Sequence, residues 1–202
     1  MNVGTSAKGI AICGVAVVAL SACSFRADQV STGTASADAR NGARPPLAVL
    51  DDPPPTRRIP YLADNPDIAA ASGMDLAGAR VAATDAAGSD LIALTRHGDK
   101  EVCVIATDPV VLRTGAGSCA SVTAFATKGV FAVLLAKDFR EVVGLVPDGV
   151  ATVVAGDAHG HHTTLPVHKN AIRVPLDHVT TLTFSISGRQ VVQDFTQAPT
   201  KI

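Results

Sequence analysis

The sequence predicts a mainly β protein, an antiparallel β-sandwich or partly open barrel, preceded by a signal peptide and a disordered Pro-rich tether. Three observations predict it. From residue 79 onward the apolar residues come in short β-branched runs and not at helical spacing. Gly, Asp, Asn or Pro interrupts those runs about every eight to twelve residues, the rhythm of strands joined by turns. Aromatic residues are scarce, with six Phe, one Tyr (Tyr61) and no Trp, so the core has to be built from Val, Ile, Leu and Ala.

The 202-residue chain opens with one positive side chain, Lys8, ahead of an unbroken small and aliphatic run from Ile10 to Leu20. A membrane-spanning helix takes roughly 20 apolar residues, and this run stops near half of that, the length of a signal-peptide core. It ends in Leu20-Ser21-Ala22-Cys23. That stretch resembles the lipobox of bacterial lipoproteins, in which the cysteine sulfur receives a diacylglyceryl group and cleavage leaves the cysteine as the first mature residue. The resemblance implies a lipidation site at Cys23 and anchoring by acyl chains, each buried CH₂ adding about 0.8 kcal/mol. An ordinary secretory signal with an Ala-containing cleavage site and an incidental cysteine is the other reading of these residues.

The expected organisation is therefore a signal peptide over 1–22, a disordered Ala/Ser/Pro-rich tether over 23–66 and a single β-rich domain over 67–202. The tether includes "RPPLAVLDDPPPTRRIP", whose prolines favour extended backbone and whose composition buries too little apolar surface to offset ordering entropy. A Pro-rich recognition segment is the alternative to a spacer. A short helix follows in expectation, with Asn65 as cap, Pro66 in the first turn and Gly73 as stop.

The expected strands are "ARVAAT", "DLIALTRH", "EVCVIAT", "GVFAVLLA", "REVVGLV", "VATVVA", "TTLPV", "AIRVPL", "TLTFSIS" and "RQVVQDF". Local turn chemistry predicts hairpins at His97-Gly98-Asp99, at Pro147-Asp148-Gly149 and around Ser187-Gly188. Of the four cysteines, Cys13 falls in the signal and Cys23 is the lipid site, which leaves Cys103 and Cys119. In an oxidising exterior such a pair reads as a disulfide, worth roughly 3 kcal/mol at this loop length. A redox pair or metal thiolates would call for Cys-x-x-Cys spacing, which is absent.

The "VVGLVPDGVATVVA" stretch, with the cysteine pair before it and Leu165-Pro166-Val167-His168-Lys169-Asn170 after it, resembles a β-rich segment of secreted proteins of high-GC actinobacteria. The likeness covers roughly Leu91 to Phe195. It implies a fold and an address and brings no activity.

One stretch concentrates chemistry: "GDAHGHHTTLPVHK", with Asp157, His159, His161, His162 and His168. Residues two apart on a strand share a face, so Asp157, His159 and His161 form a candidate Zn²⁺ or Cu²⁺ site, with His168 supplied from across a hairpin. Gly156 and Gly160 flank the cluster, and the plainer reading is a solvated hairpin tip. A hydrolase reading assembles Ser118 with His97 and Asp99, without the Gly-x-Ser-x-Gly elbow that exposes a nucleophile. "TGAGSC", residues 114–119, lacks the Lys-Ser/Thr of a phosphate loop and reads as a flexible connection into Cys119. Asp138, Asp148 and Asp177 stand singly at turns, which gives no paired-carboxylate signature.

A net charge of −1 with interspersed acids and bases offers no basic face for nucleic acid, and the scarcity of rings argues against stacking ligands. The sequence thus predicts a lipid-anchored protein on the extracytoplasmic face of the cell membrane. Its domain is expected to act as a non-catalytic binding or structural module toward an envelope partner, without a cofactor. Metal binding by the histidine cluster is the first alternative, and an exported hydrolase is the second.

Overall fold

Backbone pairing among the described residues is antiparallel throughout and sorts eleven strands into three sheets. This computed structural model describes residues 45–56, 59, 71–86, 88–107, 115–135 and 140–198, all inside the compact unit Ala35–Ile202. The first sheet is a meander of β1 (Arg80–Thr84), β2 (Asp90–Arg96), β3 (Glu101–Thr107) and β4 (Gly115–Ser121). The second takes β5 (Val130–Leu135), β6 (Arg140–Leu145) and β9 (Ala171–Pro175), in the order β5-β6-β9. The third has the order β11-β10-β7-β8 and is built from β7 (Thr152–Gly156), β8 (His162–Pro166), β10 (Thr181–Ile186) and β11 (Arg189–Asp194). None of these sheets closes into a barrel. Every expected strand is present, because short β-branched runs between turn residues have few other ways to satisfy their backbone.

The second sheet is buried on both faces, and strict alternation shows how. Val130, Leu134, Val143, Leu145 and Ala171 join Ala82, Leu91, Ala93, Val102 and Val104 of the first sheet in one core. The intervening Val142, Ile172 and Val174 join Val153, Leu182, Phe184 and Val191 of the third sheet in another. The first sheet's other face, with Ile92, Leu94, Cys103 and Ile105, is covered by Ile59, Met74, Leu76 and Ala79. Two faces to bury explains why "GVFAVLLA" and "REVVGLV" are almost continuously apolar.

Residues 45–56, which the sequence analysis assigned to the tether, are built into this domain. Leu47, Val49 and Leu50 are buried in the first core, around a 3₁₀ turn at Ala48–Asp51. Burying a side chain of this size contributes about 1.5–3 kcal/mol, and that term overrides the disorder suggested by the surrounding prolines. Ile59 of the expected tether is buried as well, and the remaining tether residues and the expected signal peptide lie outside the described residues. So does the expected helix, except for its end at Gly73, where φ is +64°.

Two further expectations are corrected, and one element is added. Pro147-Asp148-Gly149 does turn, with Gly149 at φ +85°, but it joins β6 in the second sheet to β7 in the third and closes no hairpin. The free flank of β6 is taken by β9, so β7 pairs elsewhere. The Gly-rich stretch around Cys119 is not a flexible connection: Gly115–Ser121 is strand β4, in full register with β3. Gly117 lies against β3 so closely that a Cβ there would sit 3.1 Å from the Val104 carbonyl oxygen. Small residues are what that approach demands. A helix that the strand rhythm concealed, α1 (Val122–Lys128), follows directly. Ser121 Oγ accepts the Ala124 N–H at 3.2 Å, Gly129 (φ +69°) ends it and Phe125 seats it in the core.

Candidate functional site

Sheet position decides which surfaces are open. Among the described residues the first two sheets bury apolar side chains on both faces, whereas alternation in the third leaves one face to solvent. That face carries Thr152, Val154, His162, Thr164, Thr181, Thr183, Ser185 and Val192, with Val192 58% exposed. Strand β8 is an edge of this sheet. Asp157 N–H donates to His161 O at one end of the β7–β8 ladder and Val167 N–H to Ala151 O at the other. The odd-numbered residues between therefore face β7, and the N–H and C=O groups of His162 and Thr164 face away from it. Pro166 has no N–H and ends this open edge.

At one end of the edge strand, Gly156 pairs with His162 across a five-residue tip, Asp157 to His161. Asp157 organises the tip: Oδ1 accepts the N–H groups of His159 at 2.8 Å and His161 at 2.9 Å. Its Oδ2 lies 2.8 Å from His161 Nδ1. The carboxyl pKa is lowered to about 2, first by the hydrogen bond from the His161 ring and then by the two backbone donors. The rings of His159 and His161 have centroids 6.1 Å apart. The hairpin-tip reading of the sequence is thus what the backbone adopts, and the two histidines meet through the turn rather than through alternation along a strand.

The fourth residue of the proposed ligand set does not join them. His168 lies past the opposite end of β8, in a bridge with Ala171, and five strand residues at about 3.3 Å each separate it from the tip. Among the described residues no group of three or more His, Cys, Asp or Glu is placed to hold a metal ion. Ser118 does not assemble with His97 and Asp99 either. It pairs with Val104 inside the first sheet, while His97 sits in the β2–β3 turn with Nε2 4.0 Å from Glu101 Oε2. Cys103 and Cys119 are directly opposed in β3 and β4 and are disulfide-bonded, with Cα atoms 4.1 Å apart. Cys23 lies outside the described residues.

Two polar groupings escaped the sequence analysis because they join residues far apart in the chain. Arg173 of β9 gives Nε to Glu141 Oε2 at 2.8 Å and Nη2 to Ser89 Oγ at 2.8 Å. Its Nη1 lies 3.0 Å from Asp85 Oδ2. Ser89 donates its own hydroxyl hydrogen bond to the Thr107 carbonyl. This ties the second sheet to the β1–β2 turn, and Ser89, fully buried, is a structural hydroxyl and not an accessible nucleophile. A polar cavity of about 220 Å³, lined by Leu50, Asp75, Gly78, Arg80, Thr95 and Asp99, lies beside the segment 45–56. Its Arg80 is engaged with the carbonyls of Asp52, Ala77 and Ala79.

Compared with known proteins, the chain matches no family model, no curated protein and no solved structure. No helix among the described residues is long and apolar enough to cross a membrane. Fold and surface define a disulfide-bonded antiparallel β-sheet protein with one open sheet face and a histidine-bearing hairpin.

Proposed function

We propose that this protein is an extracytoplasmic lipoprotein, anchored to the cell membrane through lipid on Cys23, whose sandwich-like β domain is a non-catalytic binding module. The observation that carries the reading is the open edge and open face of the third sheet, where the other two sheets, among the described residues, bury apolar side chains on both faces. Strand addition at such an edge and side-chain recognition on such a face are general modes of protein contact. The partner in this reading is another envelope protein. The disulfide is in keeping with an oxidising compartment, and the lipobox-like Leu20-Ser21-Ala22-Cys23 supplies the anchor.

The test is fractionation of cells expressing the full chain or its Cys23→Ala variant. The parent should sediment with membranes, and the variant should be unprocessed or released. Unchanged retention of processed Cys23→Ala contradicts the anchor. A photo-crosslinking residue at Thr164 should give one discrete adduct in intact cells, and the same residue at buried Val143 none. Equal labelling from both positions contradicts the contact surface.

A further inference from the structure

Asp157 determines which nitrogen of His161 is available. An ionised carboxylate only accepts hydrogen bonds, so in the neutral imidazole the 2.8 Å contact from Asp157 Oδ2 places the ring proton on Nδ1 and leaves the Nε2 lone pair free. The His161 side chain is 79% exposed, and that lone pair is open to a ligand. His159 stands beside it, its ring centroid 6.1 Å away and its plane tilted by 50°. Imidazole binds a transition metal at about 2.0–2.1 Å, which places the ion roughly 3 Å from the ring centre and lets two rings share one ion at centroid separations up to about 6 Å. The pair stands at that reach. Its backbone is held there by the hydrogen bonds that the His159 and His161 N–H groups donate to Asp157 Oδ1.

We propose that the tip of the β7–β8 hairpin is an open site for a divalent transition-metal ion, Cu²⁺ foremost. The ligands are the imidazole nitrogens of His159 and His161. Asp157 is the carboxylate that orients His161 and sets its tautomer, not a ligand. Imidazole donors suit copper, and copper heads the divalent affinity order for a given nitrogen site. Two protein donors are fewer than a closed site takes, so the remaining positions belong to exchangeable water, as suits reversible capture and not a structural metal. A carboxylate behind a metal-bound histidine is a recurrent arrangement that raises ligand basicity.

The experiment is calorimetric titration of the full chain with Cu²⁺ and then Zn²⁺, in a Cys13→Ser/Cys23→Ser background so that free thiols do not compete. The expected result is one Cu²⁺ per chain, tighter than Zn²⁺, with binding lost in His159→Ala and in His161→Ala and unchanged in His168→Ala. Asp157→Asn is the decisive variant. Its oxygen still accepts the two amides, but its NH₂ donates to His161 Nδ1 and moves the ring proton to Nε2. Affinity should fall about 10- to 100-fold, while circular dichroism and the melting temperature stay as in the parent. Electron paramagnetic resonance of the parent complex should show coupling to two imidazole nitrogens. Absence of stoichiometric binding, binding indifferent to either histidine, or parental affinity in Asp157→Asn would each overturn the proposal.

Discussion

The carboxamide of Asn170 donates to the Asp148 carboxylate at 2.8 Å, and this pair fastens the segment 45–56 to the strands. Asp148 Oδ1 also accepts the Ala48 N–H at 2.8 Å, and Asn170 Oδ1 accepts the Val49 N–H at 3.1 Å. Asn170 Nδ2 reaches the Val146 carbonyl as well, at 3.1 Å. The residue is 8% exposed and sits at φ +63°, a left-handed conformation that asparagine tolerates better than most residues. One side chain thus joins the β6–β7 connection, the entry to β9 and the segment that buries Leu47, Val49 and Leu50.

Asn170→Ala should lower unfolding stability in urea by about 2–4 kcal/mol, because it strips partners from buried backbone groups and places a Cβ residue without local compensation at positive φ. Asp148→Ala should act through the same contacts, so the double variant should lose clearly less than the sum of the two. Additive losses would mean that the two side chains act independently.

Arg173, with its side chain 13% exposed, faces Glu141 and Asp85 at 18% and 26%. Arg173→Met leaves those carboxylates without their cation, and an expected loss of about 3 kcal/mol sits at the lower end for breaking a buried pair. Arg173→Lys should restore only part of it, since an ammonium cannot present the fork that meets Glu141 and Ser89 together. Equal stability of the lysine variant and the parent would show that charge alone is needed.

Reducing the Cys103–Cys119 bridge, or replacing both residues with alanine, should cost about 3 kcal/mol by the loop-entropy argument. The strands should still pair, because β3 and β4 keep their ladder from Glu101–Ser121 to Thr107–Gly115. Denaturation with and without reductant gives the magnitude, and cross-strand amide protection from hydrogen exchange reports the ladder.

Acid should loosen the hairpin tip late. The Asp157 pKa is lowered from 3.8 to about 2 in the folded protein. A depressed carboxylate contributes in full above its unfolded value and loses that contribution as the pH falls through the folded value. The amide resonances of His159 and His161 should therefore titrate with a midpoint near 2 in the metal-free protein, and this step should vanish in Asp157→Asn. A midpoint close to 4 would mean that the three hydrogen bonds to Asp157 do not persist in solution.

The histidine cluster shows how far the sequence reaches into the candidate site. Gly156 and Gly160 around polar residues mark a hairpin tip, and Gly160 has the expected positive φ of +83°. Spacing alone could not separate His168 from His161, because a return strand of any register satisfies the same sequence. Nor could it distinguish Asp157 as ligand from Asp157 as the partner of Nδ1. That distinction arises from a turn that brings residues four apart within hydrogen-bond distance.

Ten of the eleven strand positions among the described residues were determined by the sequence itself, since β-branched runs and turn residues act through local sterics and need no distant partner. The disulfide pairing followed from cysteine arithmetic. Partnership beyond the hairpins at His97-Gly98-Asp99 and Ser187-Gly188 was decided by tertiary structure. Pro147-Asp148-Gly149 has hairpin chemistry, yet β6 and β7 lie in different sheets, because β6 has two faces to bury and β9 supplies its matching neighbour. Gly115–Ser121 has little intrinsic strand preference, and the ladder to β3 imposes one. Residues 45–56 look like spacer until the first core claims Leu47, Val49 and Leu50. In each case a local preference of a fraction of a kcal/mol per residue yields to side-chain burial at about 1.5–3 kcal/mol, and burial depends on which surfaces meet.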